Sequence, residues 1–241
     1  MNSKIKLKNW GQIKGGRNST GTTKKITIPQ KDERLAELIG IILGDGSLFK
    51  FKGNKSTSYM LRIVGDSVKD REYLFGYVKP LVDSLFGIEA KSSKHRKWNE
   101  LFITVNSKMV VEFLISMGMQ TGDKIDNQVT IPDWIINSQQ YLKACIRGLV
   151  DTDGSVYELK PHWPGLWQIC FTNRNDSLIN DFRNALIKIG INCSNIYRYK
   201  EEKKAPKVYI TKSSEVRKFY KEIGFSNPKH RNKLQPRGVA D

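Results

Sequence analysis

The sequence predicts an α+β protein built from two pseudo-symmetric αββαββα repeats with antiparallel sheets. Three observations point there. Helix-like and strand-like patterns follow one another in the same order in residues 32–118 and in residues 137–227. The opening helix of each half ends the same way, LIGIILGDGS at 38–47 and IRGLVDTDGS at 146–155. Small residues stand four apart in both, Gly40 with Gly44 and Gly148 with Thr152. Small residues on one helix face let a partner helix approach closely, so the two helices are expected to pack on each other where the repeats meet.

Residues 1–31 (with GGRNSTGTTKK) are basic and poor in apolar anchors, which predicts a flexible arm, either a plain terminus or a DNA-contacting tail. A helix over about 33–44 follows, then strands SLFKFK and SYMLRIV around the turn GNKS. Tyr73, Leu74, Tyr77, Val78, Leu81, Val82 and Leu85 recur at helical spacing and predict a helix from Ser67 to Phe86, stopped by Gly87. Strands IEAKSSKH and WNELFITV and a helix from Ser107 to Met117 complete the unit at Gly118. Residues 119–136 read as a linker. The order then recurs: a helix over 138–150, strands SVYELK and LWQICFT, helix SLINDFRNALIKI, paired strands INCSNIYRYK and KVYIT, and helix SSEVRKFYKEI. Residues 228–241 read as a basic tail. A repeat of about 100 residues is too long for a solenoid and indicates a duplicated domain.

The chain of 241 residues is 39% hydrophobic and carries a formal net charge of +17, enough apolar content for a core and enough positive charge to make nucleic acid the expected partner. MNSKIKLKNWGQ has no apolar stretch of the secretory kind and no run reaches about 18 apolar residues, so an intracellular protein (cytoplasmic, nucleoid or organellar) without a membrane anchor is expected. Cys145, Cys170 and Cys193 lack C-x-x-C spacing, and His95, His162 and His230 are isolated, which argues for reduced thiols and against structural zinc. Trp163 and Trp167 read as packing residues of a hairpin loop.

The chemistry concentrates in the doublet. Asp45 and Asp153 each end a helix and are each followed by a glycine, expected to take the left-handed conformation that closes helices. Helix packing through the small residues would bring both carboxylates to one end of the interface, where two helix C-termini add further negative charge. A divalent cation removes that repulsion. Aspartates with free carbonyls of the last helical turn are hard oxygen donors suited to Mg²⁺, and paired metals serve phosphodiester hydrolysis.

IRGLVDTDG and LIGIILGDG resemble the two motif copies of the LAGLIDADG homing endonucleases in their single-chain, double-motif form. The resemblance is stronger in the second copy, because Leu43 stands where the second has Asp151. It implies motif helices at the inter-domain interface, Asp45 and Asp153 on the catalytic metals, carbonyls of Gly44 and Thr152 in the metal shell, and a structural Asp151. It also implies saddle-shaped sheets lying in the DNA major groove. A basic residue near the active site is implied too. Arg174 in FTNRND stands at the matching strand-to-helix junction, with Lys69 and Lys212 as runners-up; the first-half junction IVGDSV presents Asp66, which suggests asymmetric or slow cutting of the two strands.

Alternation places Lys50 and Lys52 opposite Phe49 and Phe51, and Arg198 and Lys200 opposite Tyr197 and Tyr199, so that one face packs and the other meets DNA. Arg62, Lys91, Arg96, Gln168 and Lys207 extend that surface. The expectation is a monomeric endonuclease for a long, pseudo-symmetric double-stranded site, using Mg²⁺ or Mn²⁺, with Ca²⁺ binding but not supporting cleavage. Unequal halves are expected in the target, since Lys50-Phe51-Lys52 and Glu158-Leu159-Lys160 differ. The rival reading is an RNA maturase acting on intron RNA, or a non-cutting DNA-binding protein, on the same scaffold. A splicing intein is not expected, because Met1 replaces the needed nucleophile and GVAD lacks a terminal His-Asn pair.

Overall fold

The computed structural model describes residues 25–53, 56–95, 97–201 and 204–234. The expected arm therefore falls largely outside the described residues, and so does Arg96. The part of the arm that is described docks: Thr27 N–H donates to the Phe86 carbonyl at 2.8 Å, and Tyr141 Oη donates to the Lys31 carbonyl at 2.9 Å.

Two helices form the spine. The first, α1 (Glu33–Asp45), is capped by Asp32, whose Oδ1 accepts from Leu35 N–H at 2.8 Å. It leads into β1 (Gly46–Lys52) and β2 (Thr57–Asp66). After a turn over Ser67–Asp70 the chain runs as one helix through α2 (Arg71–Tyr73), a π-helical turn (Leu74–Val78) and α3 (Lys79–Phe86). Pro80 has no N–H to give the preceding turn, and the wider turn sits just before it. The expected start at Ser67 is thus four residues early: Asp66 Oδ1 accepts from the N–H groups of Val68 and Lys69, a local turn that competes with the helix. β3 (Lys91–Lys94), β4 (Glu100–Val105) and α4 (Lys108–Ser116) close the first half.

After a short helix α5 (Asp133–Ile136), the second spine helix α6 (Gln139–Asp153) is capped by Ser138. β5 (Gly154–Glu158), β6 (Trp167–Thr172), α7 (Asp176–Ile189), β7 (Lys207–Ile210) and α8 (Ser213–Glu222) follow. The first sheet is antiparallel in the order β1-β2-β4-β3, the second in the order β5-β6-β7. Register puts Leu48 opposite Leu61 and Ile63 opposite Ile103 in the first sheet, and Val156 opposite Ile169 and Ile169 opposite Ile210 in the second, so each sheet buries one apolar face. Both faces and both spine helices share one continuous core.

Three expectations need correction. Residues 191–200 do not form a strand: only a single bridge pairs Tyr197 with Lys207, so the second sheet has three strands where four were expected. Side-chain alternation alone could not say whether the backbone meets a partner. Phe49 and Phe51 are 39% and 70% exposed, because β1 runs past the core after Leu48. Of the expected basic tail, 228–241, the described part folds as helix α9 (Pro228–Leu234), with Lys229 Nζ on Asp70 Oδ1 at 2.7 Å and Lys233 Nζ on the Val156 carbonyl at 2.8 Å; residues 235–241 lie outside the described residues.

His230 of α9 is 1% exposed and packs on Phe225, and burial together with Lys229 and Lys233 pushes its pKa from 6.5 down to about 3 against the opposing pull of Asp70. A base that must stay neutral when folded contributes no penalty above its unfolded pKa. Below it the native state loses stability with falling pH until the folded pKa is reached. We expect the stability of the protein relative to a His230→Leu variant to fall by about 1.4 kcal/mol per pH unit from about pH 6 to 4, read by denaturant melts. Parallel curves over that range would contradict the burial of a neutral imidazole.

Candidate active site

The spine helices touch through the small residues. A methyl on Gly40 would overlap the carbonyl oxygen of Cys145, and one on Gly148 would lie 2.8 Å from the Ile41 nitrogen, so both contacts are backbone on side-chain-free backbone. Gly44 faces Thr152, whose Oγ1 and Cβ fill the space a Cβ on Gly44 would need. The Thr152 hydroxyl donates back to the carbonyls of Gly148 and Leu149. The notch is therefore complementary at this level: glycine on one side, threonine on the other.

A belt of polar contacts lies beside the helix pair. Glu37 is 1% exposed, accepting from Arg147 Nη2 at 2.7 Å and from Ser226 Oγ at 2.6 Å. Asp151 is also buried, and its Oδ2 accepts from the N–H groups of Ser226 and Asn227 at 2.8 and 3.1 Å. Burial drives the Asp151 pKa well above the usual carboxylate range, opposed by those two donors. Asp151 thereby ties the segment entering α9 to the spine.

At the foot of the pair stand Asp45 and Asp153. Burial and the charge of Asp153 push the pKa of Asp45 up to about 7, with Lys124 opposing. Asp153 is raised by burial, with Lys124 and a bond from Asn173 Nδ2 at 2.8 Å acting against the rise. The glycines that follow are not left-handed: Gly46 (φ −97°, ψ 164°) and Gly154 (φ −92°, ψ 166°) are extended. Glycine is needed there for another reason. A Cβ on Gly46 would lie 2.5 Å from Ile42 Cα, and one on Gly154 2.6 Å from Val150 Cγ1, so the chain doubles back tightly from helix to strand.

Lys124, in the segment expected only to link the halves, reaches this point. Its ammonium donates to the carbonyls of Ile42 (3.3 Å), Leu43 (2.9 Å) and Gly44 at the end of α1. Burial lowers its pKa, while Asp153 and Asp45 act to raise it. Asn175, the cap of α7, holds the segment in place, its Nδ2 donating to the carbonyls of Lys124 (3.1 Å) and Val129 (2.8 Å). Asp153, Lys124, Asn173, Arg174 and Gly44 line one cavity of about 280 Å³.

The other expected residues are more scattered. Arg174 borders this cavity and a neighbouring cleft of about 740 Å³ shared with Arg198. Arg198 itself pairs with Asp176 at 2.6 Å, off any alternating strand, and Lys200 is exposed beyond it. Arg62 lies over the rings of Phe49 (5.4 Å) and Phe102 (5.1 Å). Lys50 lies over Tyr59 (5.8 Å) and Lys207 over Tyr199 (5.5 Å). Gln168 bonds Tyr157 and Thr211, and Lys52 and Lys91 are exposed on their strands. Lys212 is exposed at the start of α8, and Lys69 borders a different cavity, beside Gly154.

Residues 140–224 match the family model of the LAGLIDADG-like domain. Those residues form a LAGLIDADG-like domain. Its likeness to solved structures takes in both repeats: I-DmoI, solved in complex with DNA and Mn and in complex with DNA and Ca, superposes with a TM-score of 0.57 at 19% identity in the Mn complex, over 80% of this chain and 96% of that one. The double-motif LAGLIDADG fold is thus that of this chain. Among curated proteins, a similar segment lies in the replication factor C small subunit of Methanocaldococcus jannaschii, 30% identical over 97% of this chain and 12% of that protein. Another lies in the tRNA-splicing ligase RtcB of Methanopyrus kandleri, 25% identical over 79% of this chain and 20% of that protein. The chain spans about a tenth to a fifth of the length of the curated relatives it matches, five proteins that carry four different names.

Proposed function

We propose that this protein is a site-specific, divalent-metal-dependent endonuclease that cuts a long double-stranded DNA target as a monomer. The observation that carries the reading is the pair of half-buried aspartates, one from each repeat, at the foot of glycine-notched helices between two sheets. Supporting it are the formal charge of +17 and the fold shared with a protein solved on DNA with Mn and with Ca.

The donor set fits a hard divalent cation. Carboxylates of Asp45 and Asp153 and main-chain carbonyls at the helix ends, those of Gly44 and Thr152 among them, supply oxygen alone. The Lys124 ammonium, held by three carbonyls at the end of α1, shows that this end favours positive charge. Among the described residues no three His, Cys, Asp or Glu side chains converge on a metal position, so DNA phosphate and water must complete any shell. A divalent cation held by these oxygens would lower the pKa of a water and offset charge on the phosphate. Asn173 fixes the orientation of Asp153 through Oδ2. Lys124 and Arg174, bordering the same cavity, supply positive charge where the pentacovalent phosphate gains negative charge.

The test is incubation of the purified chain with a randomised duplex library in Mg²⁺, in Mn²⁺ and in Ca²⁺, followed by sequencing of new ends. Discrete cut sites with Mg²⁺ or Mn²⁺ and binding alone with Ca²⁺ are expected. Tight, sequence-selective retention of DNA with no new ends in any metal would replace the reading with a non-cutting binder.

A further inference from the structure

The two repeats are each followed by a segment that crosses to the other half. After the first, Gly122 N–H meets the Leu48 carbonyl of β1 at 3.3 Å, and the Lys124 carbonyl accepts from Asn175 at the strand-to-helix junction of the second half. After the second, Lys233 Nζ meets the Val156 carbonyl of β5 at 2.8 Å, and Lys229 Nζ meets Asp70 at the strand-to-helix junction of the first half at 2.7 Å. Each crossing thus links the first strand of one half to the junction of the other. Each also carries a lysine: Lys124 reaches the carbonyls of Ile42, Leu43 and Gly44 just before Asp45, and Lys229 reaches Asp70. The first-half junction, which offers Asp66 where the second offers Arg174, receives its positive charge from α9 instead.

The second crossing borders a cavity of about 620 Å³ at Gly154 and Ser155, the residues directly after Asp153, lined also by Lys69, Lys229 and Lys233. Glu72 is the one carboxylate on its lining. His230 also borders it, buried to 1% exposure, and neither ring nitrogen has a hydrogen-bond partner among the described residues. Lys229 is paired with Asp70, so Lys69 and Lys233 face Glu72 as the lysines not held by a carboxylate, and with the Ser155 hydroxyl they suit a phosphate monoanion.

We propose that the cavity formed by Lys69, Ser155, Lys229 and Lys233 binds a backbone phosphate of one DNA strand, placing that strand for cutting on the Asp45 side. The proposal rests on the endonuclease reading and deepens it. A Lys69→Ala/Lys233→Ala variant tests it while leaving the Lys229–Asp70 pair intact; a thermal melt confirms folding. With DNA bound in Ca²⁺, the slope of log affinity against log salt is expected to flatten by about 1 to 2 relative to the unmodified chain. On a cleavable duplex labelled on either strand, in Mg²⁺, one strand is expected to be cut about tenfold more slowly and the other within about twofold of the original rate. An unchanged salt slope, or equal slowing of both strands, overturns the proposal. If the unmodified chain cuts no duplex at all, the endonuclease reading fails separately, and the salt slope on a mixed-sequence duplex still decides the phosphate site.

Discussion

Asp153→Asn and Asp45→Asn are each expected to reduce strand cleavage by about a thousandfold or more while leaving DNA affinity in Ca²⁺ within about threefold. The same variants are expected to melt at higher temperature than the parent. The reason is the burial of two like charges: Asp45 sits with its pKa near 7 because burial and Asp153 both disfavour its ionised form, and a neutral amide removes that repulsion. A gain in stability coupled to loss of cutting is the behaviour of a strained functional site, not of a damaged fold. End-labelled cleavage assays and calorimetry on the same preparations check both halves. Undiminished cutting by Asp153→Asn would remove the carboxylate from the mechanism. A lower melting temperature would show that the pair stabilises the fold rather than straining it.

The second large effect concerns the notch. Gly40→Ala is expected to destabilise the protein by about 3 kcal/mol or more, because its methyl would run into the main-chain carbonyl of Cys145, which cannot move without shifting a whole helix. Gly44→Ala should be similarly damaging, yet its obstacle is a side chain, that of Thr152. Combining Gly44→Ala with Thr152→Gly should therefore restore most of the loss, whereas no side-chain truncation should rescue Gly40→Ala. Denaturant melts of the single and double variants decide this through their coupling energy. Additive losses in the Gly44–Thr152 pair would mean that the helices do not meet as described.

The doublet was legible in the sequence because it violates local rules: interior glycines weaken a helix, and an aspartate at a helix C-terminus opposes the dipole, so both must be retained for tertiary reasons. What could not be read is equally specific. Lys124 lies in a polar stretch without periodicity, and only the fold brings it from residue 124 to the carbonyls of residues 42–44. Its one local signal is Asp123, whose Oδ1 accepts from the N–H groups of Ile125 and Asp126 and shapes a turn rather than a loose linker. Asn173 sits directly before the arginine that the resemblance favoured and holds Asp153 itself. Helix α9 was missed because its surface lysines outweigh a single buried face made of His230 and Leu234. In NIYRYK the alternating pattern was genuine, but Arg198 found an ion-pair partner and the backbone found only one bridge.

Among the described residues the two sheets are unequal, four strands against three, and β5 ends at Glu158, whose carboxylate is engaged by Lys160 and by Gly165 N–H. The first sheet instead projects beyond its hydrophobic support, with Phe49, Lys50, Phe51 and Lys52 uncovered. On the proposed endonuclease reading, such lopsidedness would give the two flanks of a recognition sequence different weight. Base changes on the flank met by the longer arm should be tolerated least, and redesign of specificity has more positions to work with there than on the stapled, shorter arm.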